Sequence, residues 1–245
     1  MPKIYLSPST QENNLYVTGG SEEYYMNLVA DALEPYLRAS GIRFTRNRPE
    51  MTAGQVIRES NAGNYNLHLA LHSNAAPIYG TLRGVDVYHF PGSINGTRAA
   101  EILADNFRVI YPNPALVDTR ATTALGEVDR VRAPAVLIEI AYHDNPDDAN
   151  WIINNIGLIA RTIALSLTEY FDLPFVEPLQ PFSAQVDTES GRGLNLRDRP
   201  SVRSAVLGSI PDGARVTVYG LLPEWAAVEY RGLGGFVRRE YLDFD

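Results

Sequence analysis

The chain has 245 residues, 45% of them hydrophobic and 20% charged, which suits a folded globular protein with one sizeable core and a small second domain. Its formal net charge of −8 excludes general affinity for nucleic acid, which needs clustered Lys and Arg to neutralise phosphates. Without cysteine, disulfides and thiolate zinc sites are excluded together, so any metal must be held by His, carboxylate or amide oxygen.

No apolar run approaches the roughly 18 residues of a membrane span. Met1-Pro2 leads straight into the strand-like KIYLS (3–7), without the basic, apolar and small-residue succession of a secretion signal. A turn rich in Ser, Pro and Asn follows. Gly19-Gly20-Ser21 then opens a long amphipathic helix, with Ser21 as N-cap and Glu22 and Glu23 at the positive end of the dipole. On the residues alone, these two acids read as dipole complements. Tyr25, Leu28, Val29, Ala32 and Leu33 recur at helical spacing, Pro35 should kink or tighten the helix, and Gly41 should end it. IRFTR (42–46) reads as a second strand, and a polar helix is expected over 53–62.

The run 67–72 is a buried strand that places His68, Ala70 and His72 on one face, because strand side chains alternate. The two histidines stand about 13 Å apart at roughly 3.3 Å per residue, too far for one ion, so only His72 at the loop end is a candidate ligand. Residues 84–90 read as another strand, and a helix is expected from Thr97 to about Ile110. Little periodicity marks 111–130, which reads as loop with short elements. The apolar strand VLIEIAY (136–142) carries Glu139 in its middle, where ionisation costs several kcal/mol unless the carboxylate is paired or bound to a metal. One reading is a buried ion pair with Arg130 or Arg132; the other is a functional carboxylate. A bipartite helix over 147–171 completes an α/β layer architecture with a largely parallel sheet.

Composition then shifts. Residues 173–182 hold three prolines and no glycine, which predicts an extended, semi-rigid linker. From 183 to 245, short alternating runs separated by Pro-Asp-Gly, Pro-Glu and Gly-Leu-Gly-Gly turns predict a small all-β barrel.

Glu22, His72 and Glu139 are expected to converge at one sheet edge. Over residues 1–172 the chain resembles the zinc-dependent N-acetylmuramoyl-L-alanine amidases. The resemblance rests on the Glu at the helix start, Gly41-Ile-Arg-Phe-Thr-Arg46, LHSNA (71–75), Gly84-Val-Asp-Val-Tyr88, and Pro134-Ala-Val-Leu-Ile-Glu139 followed by Asn145-Pro146. It implies zinc, with Glu22 and His72 as ligands, Glu23 as the fallback for Glu22, and Glu139 as the catalytic carboxylate. The family's Asp-Pro-Gly-His after the first strand is replaced here by Ser7-Pro8-Ser9-Thr10-Gln11, so the first histidine ligand is missing. Gln11 through its amide oxygen, or His143 from the other loop, would have to take its place. Residues 183–245 resemble bacterial SH3-like domains through GLNLRDRP (193–200), Ile210-Pro-Asp-Gly213, Trp225 and Gly235-Phe-Val237, which implies holding the enzyme on peptidoglycan. Trp225 reads equally as a core residue or a binding residue.

The implied activity is hydrolysis of the bond between N-acetylmuramic acid and the first L-alanine of the stem peptide. The alternative is a wall-binding protein whose amidase-like domain lost metal and activity with its histidine. The site of action would be the bacterial cell wall, reached by a phage-type lysin through a membrane pore or by a lysis- or spore-associated enzyme.

Overall fold

Two strands that are buried on both faces, β3 (Leu67–Asn74) and β6 (Ala135–Tyr142), lie side by side in parallel at the centre of a six-stranded sheet. The structure, a computed structural model, describes residues 1–244. Outward from β3 come β1 (Lys3–Pro8), paired in parallel, and β2 (Arg43–Arg46). Outward from β6 come β4 (Val85–His89), paired antiparallel, and β5 (Val117–Ala121), which runs parallel to β4. The sheet is thus largely parallel, as expected, with one antiparallel junction.

Helices cover both faces. The helices are α1 (Glu22–Ala39), α2 (Ala53–Ala62), α3 (Ile94–Ile110), α4 (Gly126–Asp129), α5 (Pro146–Asn154) and α6 (Ile156–Phe171). Thr97 of α3 bonds His89, which shares its side of β4 with Val85 and Val87, so α3 and the α6 packed on it cover that face. The opposite face carries Tyr5, Ala70, Leu137 and Tyr88, and it is covered by Val56 of α2 and by Leu125 and Val128 flanking and within α4. This gives the α/β/α layering.

Capping chemistry fixes the helix ends. Thr52 and Gln55 form a capping box that starts α2 at the expected residue. Helix α3 begins at Ile94, earlier than its apolar pattern suggested, because the Ser93 hydroxyl accepts from the Gly96 amide. The weakly patterned stretch 111–130 contains an exposed edge strand, β5, and the four-residue α4. Neither is long or apolar enough to announce itself.

The C-terminal sheet is antiparallel at every recorded pairing, in the order β13-β7-β10-β11-β12-β8-β9. These strands are β7 (Phe182–Val186), β8 (Leu194–Arg197), β9 (Val206–Ile210), β10 (Arg215–Leu221), β11 (Trp225–Tyr230), β12 (Leu233–Arg238) and β13 (Leu242–Asp243). Their inward positions, among them Val186, Leu196, Val216, Val218, Val228 and Val237, form one apolar cluster. Trp225 is buried beside Ala227 and Phe236, a core placement.

By contact density the chain divides into two units. One comprises Lys3–Leu33 and Phe44–Phe171; the other gathers Met1–Pro2, Glu34–Arg43 and the chain from Asp172 onward. Within this second unit, residues 173–181 have no regular secondary structure, as three prolines dictate, yet they are anchored. The Val176 amide donates to Ser40 Oγ at 3.1 Å, and Phe175 stacks on Tyr36 with ring centroids 5.8 Å apart. Gly41 has φ +73°, and a Cβ there would stand 2.4 Å from the Phe236 ring. Gly41→Ala combines a left-handed backbone with that clash, so it should destabilise the protein by about 2 kcal/mol or more in urea titration. An unchanged midpoint would mean that Phe236 is not seated there.

Candidate functional site

The in-register pairing of β3 with β6 sets His72 opposite Glu139, and the pairing of β6 with β4 sets Glu139 opposite Asp86. Directly paired residues share a face. One imidazole and two carboxylates therefore form a row across three strands, on the side covered by α2 and α4.

Glu22 reaches this row from the start of α1. The Ser21 hydroxyl accepts from the Tyr24 amide, and the Glu22 amide donates to the Asn14 carbonyl, so the helix start is pinned to the preceding loop. Glu22 is 1% exposed. Its Oε1 lies 2.7 Å from His72 Nδ1, and its Oε2 accepts from Asn14 Nδ2 at 2.6 Å. Burial alone would push the Glu22 carboxyl up, but its contacts with His72 and Asn14 hold it below the ordinary carboxylate range. Glu23 is half-buried, and its recorded contact is through its backbone carbonyl, to Asn27 Nδ2.

Gln11 joins the same cluster. Its amide nitrogen lies 3.3 Å from His72 Nδ1 and 3.5 Å from Glu22 Oε1, while its oxygen accepts from Asn14 at 3.0 Å. His143 is buried elsewhere, stacked on Tyr16, with Nδ1 3.0 Å from Ser73 Oγ and 2.9 Å from the Ser73 carbonyl oxygen. Gln11, Glu22 and His72 thus come together; Glu23 and His143 do not join them.

Glu139 has one carboxylate oxygen, Oε2, buried without a hydrogen-bond partner among the described residues. The ion pair considered from the sequence does not form. Arg130 and Arg132 are exposed, and the Arg132 guanidinium donates to the Asn61 carbonyl. Burial drives the Glu139 carboxyl up to about 7; His72 opposes the rise, and Glu22 and Asp86 add to it. Asp86 is held differently, with Oδ1 accepting from Arg120 Nε at 2.6 Å and Oδ2 from the Tyr142 hydroxyl at 3.4 Å.

Sequence reasoning missed one acid altogether. Glu127, on α4, is buried, with Oε1 3.3 Å from His72 Nε2 and Oε2 2.9 Å from His68 Nε2. His72 is thereby flanked by carboxylates on both ring nitrogens. Burial would lower its pKa, yet Glu127 and Glu22 together raise it well above the usual histidine value. Burial likewise favours a protonated Glu127, but His68 and His72 hold that carboxyl far below its ordinary range. The only hint in the sequence was the apolar pair Leu125 and Val128 around it, too little to define a helix.

In kind, the donors fit a divalent metal: His72 Nδ1 and Glu22 Oε1 lie 2.7 Å apart, and the Gln11 amide, which turns its nitrogen to them and its oxygen to Asn14, would turn over to ligate through that oxygen. Among the described residues, no group of three or more His, Cys, Asp or Glu side chains is placed to hold an ion together, so the third donor would be Gln11.

No curated protein matches the chain. Solved structures that resemble it share its fold. They include the catalytic domain of CwlV, an N-acetylmuramoyl-L-alanine amidase from Bacillus (Paenibacillus) polymyxa var. colistinus (TM-score 0.62, 17% identity, 71% of this chain and 100% of that one). AmiC2 of Nostoc punctiforme, an amidase of the same name, aligns with TM-score 0.61 at 14% identity over 70% of this chain and 97% of its own. The catalytic domain of the CD27L endolysin targeting Clostridia difficile aligns with TM-score 0.57 at 20% identity, over 69% and 98%. A family model described as N-acetylmuramoyl-L-alanine amidase matches residues 9–169, and one described as bacterial SH3 domain matches 192–243. With that match extending over more than half of its length, from the loop that carries Gln11 to the end of α6, the chain belongs to the N-acetylmuramoyl-L-alanine amidase family.

Proposed function

We propose that the chain hydrolyses the amide between the lactyl group of N-acetylmuramic acid and the L-alanine of the stem peptide, with zinc held by Glu22, His72 and Gln11 and with Glu139 as the catalytic carboxylate. The observation that carries this reading is Glu139 itself: a carboxylate directly opposite His72 in the sheet, with a buried oxygen that nothing in the described chain satisfies. Natural cores seldom leave such an atom idle. Zinc in this pocket would polarise the scissile carbonyl and acidify a water molecule. Glu139 takes the proton of that water and returns it to the alanine nitrogen as the bond breaks. Burial raises this carboxyl above its ordinary range, the direction that suits a group that must both take and return a proton. Asn14 holds Gln11 and Glu22 against His72 by donating to both, so the pocket is ordered by the loop before α1 as well as by the sheet. The SH3 part is proposed to bind the wall and keep the enzyme on its polymer. The inactive, wall-binding alternative gains no support from the family match.

Glu139→Gln should lower the release of stem peptides from purified peptidoglycan by about 10³-fold or more while zinc content is kept. Undiminished turnover would remove Glu139 from the mechanism. Metal analysis of protein purified without chelator should find close to one zinc per chain, lost in His72→Ala.

A third expectation concerns pH. In metal-free protein the Glu139 proton is kept up to about 7, whereas the unfolded chain releases it near the ordinary 4.5. Between those values the native state binds the extra proton, so this group's contribution to stability falls as pH rises. Glu139→Gln should remove that fall, gaining about 3 kcal/mol relative to the parent between pH 4 and pH 8 in urea titrations. Parallel stability profiles for the two proteins would show that the carboxyl is not raised.

A further inference from the structure

Glu127 is the buried acid at this site to which the proposed chemistry gives no task. Helix α4 places it there by seating Val128, with Leu125 just before the helix, against Ala70 and Leu137, which drops Glu127 between His68 and His72. Its Oε2 accepts from Ser7 Oγ at 2.5 Å and meets His68 Nε2; its Oε1 meets His72 Nε2. Behind it, His68 is fixed by Ser60 Oγ at 2.9 Å from Nδ1 and by stacking on Tyr5 with centroids 5.2 Å apart. Three partners for one carboxylate compensate its burial.

Each of the two rings turns its Nε2 to Glu127, so the acid fixes which ring nitrogen points away from it. For His72 this leaves Nδ1 facing Glu22 Oε1 at 2.7 Å and the Gln11 amide at 3.3 Å. We propose that Glu127, backed by His68 and Ser7, is a positioning residue that holds Nε2 of the His72 ring and so makes Nδ1 its metal-binding nitrogen. The inference rests on the reading of His72 as a zinc ligand. A carboxylate behind a ligating histidine orients the ring and raises its basicity, and losing one typically weakens metal affinity 10- to 100-fold.

The test is zinc affinity of the full chain, by competition with a chromophoric chelator, together with nitrogen-15 NMR of the His72 ring in zinc-loaded protein. Glu127→Gln, in its folded form, should bind zinc 10- to 100-fold more weakly. His68→Gln, which leaves the Glu127–His72 bond in place, should stay within about threefold of the parent. The NMR signature expected of the parent is a protonated Nε2 and a metal-bound Nδ1, a readout that does not depend on any variant folding. Metal on Nε2, or unchanged affinity in a folded Glu127→Gln, would overturn the positioning role and leave the zinc reading standing. Equal losses in both variants that track their melting temperatures would show a merely structural role. A parent chain that takes up no zinc would sink the metal reading itself.

Discussion

The site depends on one buried imidazole held between two carboxylates. His72 sits at the loop end of a strand buried on both faces, and in so dry a place its ring needs a partner on each nitrogen. Glu22 and Glu127 supply them from two elements far apart in sequence, a helix start and a four-residue helix. Removing either acid would leave a polar group unsatisfied in the core. The interaction thus ties α1 and α4 to the sheet and fixes where the ring points.

That constraint explains which parts of the site were legible from the sequence. His72 and Glu139 stood out because each interrupts a buried strand, where a polar residue violates the pattern around it. Glu22 stood out less: at a helix start an acid is ordinary, and only its burial distinguishes it from Glu23 next to it. Glu127 was invisible because α4 is too short for periodicity to register, and because its partners lie 59 and 55 residues away. His68 appeared in the sequence only as the second histidine on the face of His72, and the structure gives it a use as Glu127's partner. The edge strand β5 was missed for a related reason. Four of its five residues are exposed, so it lacks the alternation by which a strand is recognised.

The C-terminal part was read correctly as an all-β barrel because its turns are marked by Pro and Gly and its strands alternate. What sequence could not indicate is that residues 34–43, from the end of α1, cluster with it. The contacts responsible are nonlocal: Ser40 to Val176, Tyr36 to Phe175, Gly41 to Phe236. Each residue was interpretable in its own segment, Gly41 as a helix stop for instance, but its second role depends on a partner more than 130 residues away.

The exchange of the family's first histidine for Ser9-Thr10-Gln11 acquires a physical sense once Glu127 is counted. An amide oxygen is a weaker donor to zinc than an imidazole, so a pocket built on Gln11 begins with less affinity. Against this, Glu22 and Glu127 contact His72, Glu139 stands opposite it, and Asp86 stands opposite Glu139, where it accepts from Arg120. Repulsion from Glu22 and Asp86 adds to burial in raising the Glu139 carboxyl. The cation proposed at His72 Nδ1 would relieve that repulsion, and Glu127, on the far side of the ring, would strengthen the one nitrogen donor that remains. A zinc ion proposed for this pocket would find fewer good donors offset by negative charge, and Glu139, whose raised carboxyl costs the metal-free protein stability near neutral pH, would favour that ion.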